Sequence, residues 1–103
     1  KSKLKYLQPL IVMGDLHGYV FLCAGCGARH FLPTRVSDAQ GRRWAFSEDF
    51  ESPSFSPAFH IIIDHEDRSI DICHGWISHG KVDFMDDCTH KLRGKIVSMI
   101  PIE

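Results

Sequence analysis

Cys23 and Cys26, separated by two residues and followed directly by Gly27, constrain this chain more than any other feature. The spacing is that of a metal knuckle, in which a tight turn aims two thiolates at one ion. Zinc takes four soft or imidazole ligands in a tetrahedron, and it staples a chain when the second pair comes from a distant segment. Cys73-His74 and Cys88-Thr89-His90 are such segments, and His30 lies closer to the knuckle. Successive side chains on a strand point to opposite faces, so Cys73 and His74 do not share an ion. Cys73 is therefore read as the third ligand. The fourth is His90, Cys88 or His30, with His90 preferred. Cys88 also suits the part of a small buried apolar residue. The expectation is one structural Zn2+ on Cys23, Cys26, Cys73 and His90.

A chain of 103 residues suits one domain, 1–103. At this size the buried share of the surface is modest, and a metal staple has a clear use. A hydrophobic content of 44% is too high for a disordered chain. The net charge is −1 and Lys and Arg form no stripe, which points away from nucleic acid as a partner. No apolar run approaches the roughly 18 residues of a membrane span. The run at 9–13 is broken by Asp15 and His17, so no secretory signal is expected. The cysteines are accordingly read as reduced thiols of a cytoplasmic protein rather than as two disulfides.

The remaining pattern is that of strands. Residues 7–13 and 19–23 lead into the knuckle, and 29–32 lead out. Residues 42–46 place Trp44 and Phe46 at a spacing of two. The branched, apolar run 59–63 is the strongest strand, and 70–73 resumes the sheet. Residues 76–77 and 82–84 flank a tight His79-Gly80 hairpin. Residues 96–100 form a last strand. Residues 48–57 read as a loop, and so do 86–94, with one helical turn at 89–93. The fold class is mainly β: a small zinc-stapled antiparallel sheet domain with a CxxC knuckle and little helix. Trp44 and Trp76 are expected in the core. His17, His60, His65 and His79 are expected at the surface or in turns.

Two further motifs bear on chemistry. The run from Gly14 to Gly18, with Asp15 and His17, resembles the first metal motif of the calcineurin-like phosphoesterases. Those enzymes also require an Asn-His pair, and this chain contains no asparagine. The run is read instead as a turn, with Asp15 and Gly18 making the bend. Residues 53–59 carry Ser54 and Ser56 at the entry to the strongest strand. A serine nucleophile needs an imidazole, and the imidazole needs an orienting acid. His74, on the face opposite Cys73, is free for that role, with Asp87 as its acid. An open zinc site with Asp86 or Asp87 as base is the competing hydrolytic arrangement.

The knuckle Cys23 to Gly27, His30, Trp44, the stretch 53–58, Cys73-His74, the hairpin 80–84 and the run Asp87 to His90 occur in one order. That order resembles the BubE-like family of small phage and bacterial proteins, some encoded beside ubiquitin-like conjugation genes. The resemblance spans residues 23–94. It implies a zinc-stapled fold and a serine peptidase acting on a ubiquitin-like protein at its C-terminal tail. Within it the family's Pro-Ser step corresponds to Pro57-Ala58, so Ala58 stands where the family usually has serine. Either the nucleophile has been exchanged for alanine, or this member is naturally inactive, or Ser56 acts in its place. The residues so implied are Ala58, Ser56, His74 and Asp87. The alternative is a zinc-binding interaction module without catalysis.

Overall fold

The chain folds as eight strands in two antiparallel sheets, in a computed structural model that describes residues 5–102. The first sheet is a meander of β1 (Leu7–Val12), β2 (Asp15–Leu22) and β3 (Arg29–Pro33). The second is a meander of β4 (Ala45–Phe46), β5 (Phe55–Asp64), β6 (Ile70–Ser78), β7 (Lys81–Phe84) and β8 (Ile96–Ser98). Within each sheet every neighbouring strand is a neighbour in sequence, joined by tight turns at 13–14 and 79–80 and by longer loops at 47–54 and 85–95. There is no helix among the described residues, and the segment expected to hold a helical turn at 89–93 forms turns.

Two hairpins owe their tightness to paired positive φ angles, which a two-residue type I′ turn requires. Met13 and Gly14 have φ of 52° and 87°, and His79 and Gly80 have 52° and 78°. The first bend thus falls one step before the motif read as a turn. Asp15 and Gly18 lie inside β2, where Asp15 faces Val12 and Gly18 faces Pro33. A Cβ on Gly18 would meet the Leu32 carbonyl oxygen, so glycine there permits the close approach of β3.

The core forms where the two sheets face each other. Phe21 from the first sheet meets Phe59 from the second at 5.3 Å between ring centroids. Leu32, Phe55, Ile77, Val82 and Phe84 fill the space around them. Each such side chain contributes about 1.5–3 kcal/mol on full burial. A ring ladder closes one end: Tyr19 contacts Phe46, and Phe46 stacks on Phe55 at 4.7 Å. Trp44 is buried as expected, whereas Trp76 is 44% exposed. The reason is register: on β6, Cys73, Gly75 and Ile77 face inward, which sends His74 and Trp76 outward.

β5 is irregular at its start. Phe55 pairs with Ile77 and Phe59 with Gly75, so the register slips between them, and the Ser56–Pro57 bond is cis. β4 covers β5 only at Phe55 and Ser56. Among the described residues no strand pairs with the outer edge of 57–64.

Candidate metal centre and candidate active site

Backbone hydrogen bonds shape the knuckle. Cys23 N–H donates to the Ala28 carbonyl at 2.8 Å, and Gly27 N–H to the Cys23 carbonyl at 2.9 Å. Gly27 has φ of 72°, which glycine adopts without strain. The turn folds Cys26 back over Cys23. Antiparallel pairing of β2 and β3 then sets His30 opposite Phe21, with its ring buried edge-on to Phe21 at 5.3 Å. Cys73 arrives from the other sheet, on the inward side of β6.

Cys23, Cys26, His30 and Cys73 each offer one ligand atom, and all four atoms lie within 4.8 Å of one another. Cys23 Sγ is 3.5 Å from Cys73 Sγ, and Cys26 Sγ is 3.0 Å from His30 Nε2. Tetrahedral ligands at zinc–sulfur and zinc–nitrogen distances of about 2.0–2.3 Å stand roughly 3.5 Å apart, so the set suits one ion. All four cysteines are free thiols. The hydrogen bond with Cys73 pulls the Cys23 thiol down to about 3, while the same contact and burial push Cys73 up. Burial raises Cys26 as well. Soft donors packed this closely, and this reluctant to ionise together, suit a cation at their centre.

His90, preferred from the sequence, lies outside this set. Its Nε2 is 3.6 Å from Cys73 Sγ, and its Nδ1 accepts a hydrogen bond from Leu92 N–H at 3.2 Å. With Nδ1 accepting, a neutral ring carries its hydrogen on Nε2, which faces the Cys73 sulfur. What the sequence could not show is that pairing of β2 with β3 brings His30 back over the knuckle. Cys88 is buried and engages the backbone of His74: it accepts from His74 N–H at 3.3 Å and donates to His74 O at 3.1 Å.

On the outer face of β6, His74 Nδ1 lies 3.1 Å from both carboxylate oxygens of Asp87. The loop carrying Asp87 is fastened to β6 along its length. Met85 N–H donates to the His74 carbonyl, Thr89 N–H to the Ile72 carbonyl, and Ile72 N–H to Thr89 Oγ1. The same loop delivers Asp87 to the outer face and His90 to the inner one. His60 stands directly opposite His74 in the β5–β6 ladder, and the two rings stack at 4.4 Å. His60 was expected to be an ordinary surface residue. It is exposed, but it belongs to a group with His74 and Asp87. Strand alternation could have linked it to His74 had the register been known.

Ala58 is two residues before His60 on β5, inside the segment between Phe55 and Phe59 where the pairing with β6 slips. Ser56 pairs with Ala45 on β4, on the far side of the register slip. The slip breaks the regular strand on which a shared face for Ser56 and Ala58 depended. Ser54 is engaged, with its Oγ accepting from His79 N–H at 2.8 Å.

Two surroundings complete the site. Ile62, Ile70, Trp76 and Ile96 are exposed. Their pairings with Ile72, Asp64 and Asp83 place them on the outer face of the second sheet, with His74. A cavity of about 130 Å³ lies between β3 and the open edge of β5, with Phe31, Arg42, Trp44 and His60 in its wall. No helix among the described residues is long and apolar enough to cross a membrane.

The chain matches, over residues 3–85, the model of a family described as bacterial ubiquitination-like system serine protease (BubE). The matched span starts earlier than the stretch 23–94 that carried the resemblance, taking in β1 and β2, and it stops short of Asp87 and His90. No curated protein and no solved structure matches this chain. A match over this much of the sequence settles descent: the chain belongs to the BubE family of bacterial ubiquitination-like system serine proteases.

Proposed function

We propose that this chain is a zinc-stapled serine peptidase fold whose site handles the C-terminal tail of a ubiquitin-like protein. In it Ala58 fills the nucleophile position, so the chain as it stands is an inactive form. The observation that carries this reading is the His74–Asp87 pair, with the imidazole held through Nδ1 by both carboxylate oxygens at 3.1 Å. That is how a peptidase acid fixes the tautomer of its base and leaves Nε2 as the proton acceptor.

Cys23, Cys26, Cys73 and His30 would hold the zinc, with His90 donating an N–H to the Cys73 sulfur. The ion supplies a structural cross-link between the two sheets and fixes the inward face of β6. On the outward face the chemistry is that of the side chains. A serine hydroxyl at 58 would attack the scissile carbonyl carbon of the tail. His74 would take the hydroxyl proton and return it to the leaving group, with Asp87 holding the ring. The tail is accommodated as an added strand along the open edge of β5, a mode in which main-chain hydrogen bonds give affinity. The exposed isoleucines and Trp76 offer the body of the partner an apolar surface. The cytoplasm, where ubiquitin-like conjugation operates, fits four free thiols.

One observation favours the second reading, a zinc-dependent interaction module: the methyl group of Ala58 cannot attack a carbonyl. A serine-directed fluorophosphonate separates the two when applied to the chain, to Ala58→Ser, and to Ala58→Ser with His74→Ala. Labelling of the Ala58→Ser form alone supports the peptidase fold. Labelling of the unaltered chain moves the nucleophile to another serine, Ser56 first. Labelling of none leaves the interaction module.

A further inference from the structure

The group formed by His60, His74 and Asp87 has a property that the peptidase reading does not use. That reading needs one imidazole, and the structure sets two side by side. His60 and His74 are a direct cross-strand pair, with ring centroids 4.4 Å apart and ring planes 27° from parallel. Asp87 reaches both: its Oδ2 is 3.1 Å from His74 Nδ1 and 4.0 Å from His60 Nε2. One ligand atom from each of the three lies within 4.8 Å of the others.

We propose that His60, His74 and Asp87 form a second, open metal site on the outer face, for a borderline divalent ion such as Zn2+, Co2+ or Ni2+. Two imidazoles and one carboxylate are a donor set for such ions, and three protein ligands on one side leave positions for water. The side chains of His60, His74 and Asp87 are 42%, 29% and 48% exposed, so an ion enters directly from solvent. The site is separate from the thiolate cluster, because Cys73 and His74 face opposite sides of β6.

Binding there changes what His74 can do. An ion held by the nitrogen that faces Asp87 takes the lone pair at Nδ1 and leaves the hydrogen on Nε2. A ring in that state donates at Nε2 and cannot accept a proton there. The metal-bound and peptidase-competent arrangements are therefore alternative states of the same three residues. The metal site itself does not depend on the peptidase reading, since the ligands stand together whatever residue 58 is.

Titration of the purified protein with Co2+, followed by absorption, tests this. The first equivalent should show intense sulfur-to-cobalt charge-transfer bands. A second should bind with ligand-field bands only, and should shift the ring resonances of His60 and His74. His60→Ala and Asp87→Ala should each weaken the second equivalent at least tenfold, leaving the first equivalent and the melting temperature unchanged. A chain that binds only the thiolate equivalent overturns the proposal, and so does a second equivalent that survives His60→Ala. Fluorophosphonate labelling does not enter this readout, so either proposal can fail alone.

Discussion

Cys73 and His74 are consecutive residues that serve opposite sides of one sheet. Cys73 Sγ lies 3.5 Å from Cys23 Sγ in the interior, and His74 Nδ1 lies 3.1 Å from Asp87 on the outside. The loop that follows β7 repeats the arrangement with Asp87 and His90. The thiolate cluster and the imidazole–carboxylate pair therefore share a backbone without sharing a side chain.

Cys23→Ala should abolish the metal and the cooperative unfolding transition. Structural zinc contributes apparent binding energies of about 10–16 kcal/mol to small metal-folded domains, as much as the whole stability of an ordinary one. Metal content by mass spectrometry and a thermal melt check this, and a strong chelator should reproduce the effect in the unaltered chain. A Cys23→Ala protein that keeps its metal and its melting temperature would refute the staple.

His30→Ala and His90→Ala should part company. Loss of His30 removes a ligand, and the metal should be lost or exchange freely. Loss of His90 removes an N–H donor to sulfur, which typically weakens metal affinity by about 10–100-fold. Competition against a chromogenic chelator measures both. The opposite ranking would return the fourth ligand position to His90.

Asp87→Asn in the Ala58→Ser background should lower the labelling rate by about 10³–10⁴-fold, because the ring loses the acid that fixes its tautomer. Circular dichroism should be unchanged, since Asp87 is half exposed. An unchanged labelling rate would remove Asp87 from the machinery.

Gly25→Ala should disturb the metal side without touching a ligand. A Cβ at this position would run into the His90 ring, which is fixed by Leu92 N–H, by Cys73 and by edge-on contact with Phe84. Overpacking of this kind costs about 1–3 kcal/mol. Chemical denaturation of the metal-loaded protein would register it, and a wild-type midpoint would show that His90 moves freely.

Asp38 gives an acid-side test of the groove beside β5. Hydrogen bonds from Arg42 N–H, together with the Arg42 side chain and Gln40 N–H, hold its carboxyl below the usual range against a smaller opposing effect of burial. A depressed folded value means that this contribution is complete above the unfolded value of about 3.9. It is lost as pH falls through the lower folded value. A carbon-detected titration should place the Asp38 midpoint below 3.9, with Arg42 loosening in step. A midpoint at or above 3.9 would show that the loop is not held this way.

Much of this was legible in the chain. The knuckle, the partnership of Cys73, the His79-Gly80 hairpin and the split between Cys73 and His74 follow from spacing and from the period-two rule. What failed to show depended on register. His30 and His90 are both near Cys73, and only the β2–β3 pairing sets His30 within the group of four close enough to hold one ion. Trp76 reads as core by composition, but it follows Gly75 on a strand whose odd positions face inward. His60 gains its meaning from standing opposite His74, a relation created by the slip between Phe55 and Phe59.

The open edge of β5 has a consequence for handling the protein. It runs through Ile61, Ile62 and Ile63 with no lysine, and the single Pro57 stands at its beginning. Edges that must stay solitary are commonly guarded by charge, proline or a covering segment. Here the covering is partial, with Arg42 and Trp44 beside His60 and Ile61 but Ile62 and Ile63 exposed, so concentrated samples should associate edge to edge, and adding a well-fitting peptide should keep them dispersed.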